Sequence, residues 1–228
     1  MLKIHHNLQT IGTEIAKDCQ RFQRDPNSVH LLAVSKRHPA SAIREAYEFG
    51  QHAFGENYVQ EMLEKSQQLA DLPLEWHFIG PLQSNKTKDV ATIASWVHTV
   101  DRLKIARRLS EQRPEAMPDL SICLQVNLNN EASKSGVSVE ELFELAESVA
   151  SLPKLKLRGL MAIPEASSDR AVQRDNFQQL AQAQAALNAK GYGLDTLSMG
   201  MSGDMAAAIA EGATIVRIGT AIFGTRPT

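Results

Sequence analysis

Charge of one sign is what this chain lacks first. Its 24 lysines and arginines stand against 26 aspartates and glutamates, and neither sign forms a long block. That balance gives no footing for a nucleic-acid or other polyanionic partner. Cysteine is scarce: Cys19 and Cys123 lie far apart, with no second thiol near either. Cys123 sits in an apolar run, so a buried free thiol is expected, and a reducing cytoplasm fits. No segment approaches the length of a membrane span. The opening "MLKIHHNLQTIGTEIAKDCQRF" carries charges throughout instead of the continuous apolar core of a signal peptide. No Walker loop or complete Gly-x-Gly-x-x-Gly fingerprint occurs, and "GMSGD" lacks the last glycine of a nucleophile elbow. The seven histidines show no metal-ligand spacing. Linkers and low-complexity tracts are missing as well, so residues 1–228 read as one domain, cytoplasmic and without a membrane contact.

What is present is an ordinary globular composition, 43% apolar and 22% charged, arranged as short apolar runs alternating with helix-period segments. The runs predict strands at Val29–Ser35, His52–Gly55, Glu75–Gly80, Trp96–Val100, Leu120–Leu128, Lys156–Ile163, Thr196–Met199 and Thr214–Ile218. Residues 1–25 predict an extra N-terminal helix packed on the rest, with Ile4, Leu8, Ile11, Ile15 and Phe22 as one stripe. Further helices are expected after Pro39, over about Asn57–Leu69, from an Asp101 cap to before Pro114, behind the capping box of Ser138 and Glu141, over about Asp169–Lys190, and from Gly203 to Glu211. Eight strands alternating with helices predict an α/β fold, a (β/α)8 TIM-type barrel; an open doubly wound sheet is the structural alternative.

In such a barrel the chemistry lies where strands end and helices begin. The run Leu31–Val34 stops at Ser35-Lys36, and a lysine there is either a snorkelling solubiliser or an amine made nucleophilic by partial burial. Ser202-Gly203 precedes a helix and Gly219-Thr220 follows the last strand. These positions offer backbone N–H groups to an anion, or else merely cap and turn the chain. Arg217, flanked by Val216 and Ile218, needs a partner, either a structural carboxylate or an acceptor on a ligand. His77 has the same two readings, satisfied core histidine or site residue.

The motifs "AVSKRHP", "FGENYVQE", "WHFIGPLQSNK", "VNLNNEASKSGV", "GLMAIP", "LSMGMSGDM" and "VRIGTAIFG", in that order from residue 33 to residue 224, resemble those of the pyridoxal phosphate homeostasis proteins. These in turn resemble the barrel domain of bacterial alanine racemases. The resemblance implies pyridoxal 5′-phosphate (PLP) as cofactor, held as a Schiff base by Lys36. Ser202, Gly219 and Thr220 become its phosphate cradle, with Gly200 in the same loop. Arg217 becomes the neighbour of the pyridine nitrogen, and Asn57 and His77 line the cofactor face. Lys134, in the loop after the fifth strand, is the second amine to consider.

The implied role is intracellular vitamin B6 homeostasis without robust catalysis, by a monomer that meets PLP-dependent apoenzymes transiently. An arginine at the ring nitrogen disfavours the proton that makes PLP an electron sink. Racemases take a second base from an additional domain, and this chain ends four residues after Gly224. Tyr58, near the exit of the second strand, is a candidate for a substitute base. A racemase of low activity and a Schiff-base aldolase are the competing enzyme readings.

Overall fold

The computed structural model describes residues 2–128 and 135–225. Eight strands, β1 (His30–Val34), β2 (Ala53–Glu56), β3 (Glu75–Phe78), β4 (Trp96–Val100), β5 (Leu120–Gln125), β6 (Leu155–Met161), β7 (Thr196–Ser198) and β8 (Ile215–Ile218), close a barrel in sequence order. Every neighbouring pair is parallel, and β8 returns to β1 in the register Leu32 opposite Arg217 and Ala33 opposite Ile218. The expected (β/α)8 barrel is thus present, and closure rules out the open sheet.

The strands read as apolar runs because both of their faces are buried. Outward side chains such as Phe54, Trp76, Phe78 and Val97 belong to one large core shared with Ile43, Met62, Ile105 and Leu142. Those four come from α2 (Ala40–Glu48), α3 (Val59–Gln68), α5 (Leu103–Gln112) and α6 (Val139–Ala150). Inward side chains form separate clusters, Leu32, Val34, Ile79 and Ile215 in one, Trp96, Cys123 and Met161 in another. The period-two alternation of each strand produces this division into two cores.

Helix α1 (Leu2–Arg21) buries Ile11 and Ile15 of the expected stripe, and Cys19 beside them. Arg24, just beyond it, donates to the Ile209 and Ala213 carbonyls at 2.9 and 2.7 Å, and Asn7 donates to the Ile222 carbonyl at 2.8 Å. The first helix is therefore fastened to α8 (Met205–Ala210) and α9 (Thr220–Phe223), the two that follow the last strands. The long α7 (Arg170–Ala189) starts at an Asp169 side-chain cap, and the capping box of Ser138 and Glu141 is formed in full.

Two expectations need correction. Helix α4 (Thr87–Ile93), between β3 and β4, is absent from the sequence reading: its single buried face of Thr87, Val90 and Ala91 is too short to register as a period. Asp101 does not cap α5; its carboxylate takes the Arg102 guanidinium at 2.6 Å, and Arg102 occupies the cap position without a side-chain bond. Among the described residues, no helix is long and apolar enough to cross a membrane, and no group of three or more His, Cys, Asp or Glu is placed to hold a metal ion.

Candidate functional site

Lys36 is half-buried, two residues beyond β1, and the turn that presents it is built by ionic contacts behind it. Arg37 adopts a left-handed φ of 62°, which costs a non-glycine residue about 1–2 kcal/mol. Its amide is held by Glu61 Oε2 at 2.7 Å, and its guanidinium donates to the Tyr58 hydroxyl at 3.2 Å. Lys65 closes the cluster from below, donating to the Ser35 carbonyl, Glu56 Oε1 and Glu61 Oε2 at 2.9, 2.8 and 2.9 Å, while the Ser35 hydroxyl donates to Glu56 Oε1 at 2.6 Å. Burial raises the Glu56 carboxyl, opposed by Lys65 and Ser35. Burial also pushes Glu61 up, but the Arg37 amide and Lys65 outweigh it and leave that carboxyl below its ordinary value. Tyr58 is exposed and engaged with Arg37, which also lies 5.7 Å over its ring.

The barrel brings other expected positions to the same rim. A Cβ on Gly219 would meet the Val34 carbonyl at 3.0 Å, so the end of β8 lies directly against the strand that carries Lys36. Thr220, the first residue of α9, is exposed. On the other side Ser35 donates its amide to the Gly55 carbonyl, two residues before Asn57. Asn57 Oδ1 is buried without a hydrogen-bond partner among the described residues, and a Cβ on Gly80 would collide with the Asn57 carbonyl. Gly200, at φ 96°, accepts the Arg217 amide at 2.9 Å, and a side chain there would strike Ala208. Ser202 is exposed in the turn ahead of α8, and Gly203 has open space around it. Ser202 does not cap that helix: Asp204 occupies the cap position, and its carboxylate takes the Met201 amide at 2.6 Å instead.

Arg217 points into the barrel and is buried. Its partners are oxygens without charge, the Ser198 carbonyl and hydroxyl through one terminal nitrogen and the Ala162 carbonyl, 2.9 Å away, through the other. The structural carboxylate considered from sequence is replaced by these acceptors, with Asp204 acting only as a nearby charge. Burial pulls the guanidinium down to about 10, which leaves it a cation at neutral pH.

His77 is placed differently from the rim group. It is buried, stacked on Trp96 with ring centroids 5.5 Å apart, and it faces the opposite mouth of the barrel, where strands begin. A cavity of about 660 Å³ opens there, lined in part by His30, Glu75, His77, Trp96 and Arg158. His77 meets Glu75 at 3.0 Å and His98 at 2.8 Å, and His98 meets the Ser198 hydroxyl at 2.8 Å. Sequence reasoning missed Glu75, His98 and Ser198. The alternation Trp96-x-His98 and Thr196-x-Ser198 marks which face they share, but not that the two faces meet. Lys134 lies outside the described residues.

The chain matches the sequence model of the alanine racemase N-terminal domain over residues 4–227. It is 58% identical over 226 residues to a pyridoxal phosphate homeostasis protein of Pseudomonas aeruginosa, covering 99% of this chain and 97% of that one. The structure of PipY from Synechococcus elongatus with PLP bound superposes with a TM-score of 0.85 at 40% identity, over 97% of this chain and 100% of that one. Alanine racemase from Corynebacterium glutamicum shares the fold, with a TM-score of 0.73 at 16% identity, over 99% of this chain and 62% of that chain. A barrel matched end to end at this identity leaves one assignment: the chain belongs to the pyridoxal phosphate homeostasis proteins, within the alanine racemase N-terminal domain family.

Proposed function

We propose that this protein binds PLP at the C-terminal rim of its barrel and serves vitamin B6 homeostasis, as its relatives' name states, without robust catalysis. The observation that carries the reading is that Lys36 leaves β1 beside β8, the paired strand that carries Arg217, with Gly219 packed against Val34 at the end of β1. Bound PLP supplies an aldehyde for an amine and an electron-withdrawing ring. The residues fit such a group: a half-buried amine, an unpartnered Asn57 oxygen, and small or open positions at Gly203 and Gly219 where a phosphate needs close backbone approach. In this reading Lys36 is the attachment point, and Ser202, Gly219 and Thr220 hold the phosphate with the help of the Gly200 turn. Arg217 faces the ring nitrogen and Asn57 lines the face, while His77 acts from behind.

The cationic Arg217 sets the chemistry. In this reading the Arg217 guanidinium, still charged at neutral pH, would oppose a proton on a ring nitrogen held against it, and the electron-withdrawing chemistry that bound PLP would supply would be correspondingly weak. The protein then holds the reactive aldehyde, as a monomer, and hands it on in transient encounters with apoenzymes. Borohydride reduction of the PLP-loaded protein followed by intact-mass analysis tests the attachment. Wild type gains the mass of one reduced cofactor, and Lys36→Ala folds but does not. Wild-type labelling of Lys36→Ala overturns Lys36 as the attachment point.

A further inference from the structure

Five side chains form an unbroken line from the proposed site across the barrel interior, from Arg217 through Ser198, His98 and His77 to Glu75 at the far mouth. Each link is 2.8 to 3.0 Å long, and the members come from β8, β7, β4 and β3. The two ends decide the direction of every bond. A guanidinium only donates, so Ser198 Oγ accepts from Arg217. A carboxylate only accepts, so His77 Nε2 carries a hydrogen toward Glu75. His77 Nδ1 is then a bare acceptor in the neutral ring, and His98 Nε2 must donate to it. His98 Nδ1 is left to accept the Ser198 hydroxyl hydrogen. The reverse order would set a bare His77 nitrogen against the Glu75 carboxylate, acceptor against acceptor, unless a buried ring carried a charge. Burial opposes that charge in both rings, since His77 lies below its ordinary value and His98 well below.

We propose that Glu75, His77, His98 and Ser198 are positioning residues: a one-directional hydrogen-bond relay that fixes Arg217 and couples it to the charge at the opposite mouth of the barrel. No proton moves along it. Both histidines stay neutral with hydrogen on Nε2, and the polarisation of each bond by the next carries the influence of the Glu75 anion to the guanidinium. Other charged or titratable groups lie near both ends and belong to the background: His30 beside Glu75, Arg158 paired with Asp195 and stacked over Trp96, and, around Arg217, Asp204 and the Cys123 thiol, which burial keeps neutral by pushing it up to about 12. Losing the anion or cutting the line leaves Arg217 more strongly positive toward its ligand. The last step, from Arg217 to the cofactor, rests on the function proposed above; the relay itself does not.

Two measurements separate the relay from that function. Selective ¹⁵N labelling of histidine in the cofactor-free full-length protein reads the tautomers directly. His77 and His98 should both appear as neutral Nε2–H rings at pH 7. Ser198→Ala should leave both rings as Nε2–H, because Glu75 still sets them through His77, but should move the His98 Nδ1 resonance to that of a nitrogen that accepts no hydrogen bond; Ser198→Thr, which keeps the hydroxyl, should restore it. A charged ring or an Nδ1–H tautomer in the wild type overturns the relay, whatever the cofactor does. In the PLP-loaded protein, Glu75→Gln and Ser198→Ala should each lower the pH midpoint of the visible absorbance band while the borohydride-trapped mass at Lys36 persists. The double variant should shift it no further than Ser198→Ala alone, because a line already cut cannot transmit the second change. Additive shifts, or none, overturn the coupling. Failure of the wild type to take up PLP overturns the proposed function and leaves the tautomer result standing.

Discussion

His98 is a histidine that its surroundings keep from being charged. It is completely buried, and its neighbours His77 and Arg217 both oppose a proton. The unfolded chain has no such opposition and takes up protons below the ordinary value of 6.5. Stability is therefore fully present above pH 6.5 and is lost as the pH falls from there toward the folded-state value. At pH 5.5 part of this stability should be gone, more of it through His98, which lies well below its ordinary value, than through His77. Urea denaturation at pH 7.5 and 5.5 measures it, and the difference should shrink in His98→Gln. Glu61, Glu75 and Asp195, whose carboxyls lie below their ordinary values, titrate beneath this window. Equal stability at the two pH values would mean that the ring protonates freely in the folded protein. At this scale the sequence was only partly readable. Lys36, Arg217 and the rim glycines stand at strand ends that can be counted off. His98 and Ser198 sit inside strands, 100 residues apart, and only barrel closure makes them neighbours.

At the scale of elements, the turn from β1 into α2 is held by helix α3 and the end of β2. Lys65 is buried at 6% exposure and Glu56 at 0%, so neither charge has water to fall back on. Removing one partner of a buried pair strands the other, at a cost of about 3–5 kcal/mol. Lys65→Met should destabilise the protein by that order in urea denaturation. Adding Glu56→Gln should recover part of it, because the stranded charge is gone. If Lys65→Met costs no more than an exposed lysine, the pair is not what fixes the turn. The elements themselves were largely legible, because buried parallel strands are short aliphatic runs and the long helices carry caps and a stripe. Where reading failed the cause was local: α4 offers one turn of buried face, and Asp101 found a guanidinium before it found a helix end.

The whole molecule has one tryptophan in each of its two cores, Trp76 outside the barrel wall and Trp96 within it. A closed sheet cannot lose one core and keep the other, so both should melt together. Fluorescence-monitored denaturation of Trp76→Phe and Trp96→Phe should give coincident transitions once each curve is scaled for its own stability. Separate transitions would reveal a barrel that opens in stages. Closure also has a consequence for how the protein comes into being. Lys36 belongs to the turn leaving the first strand, Arg217 to the last strand and Gly219 to the turn leaving that one, with β1 and β8 paired only at the seam. On the ribosome the lysine emerges early and waits while nearly all the rest of the barrel is made. Until β8 follows, it is an amine beside an unfinished sheet, with neither the Arg217 guanidinium nor Gly219 near it. If Lys36 is the attachment point proposed above, capture of the aldehyde becomes a mark of a finished barrel, and a chain cut short before β8 should carry no cofactor.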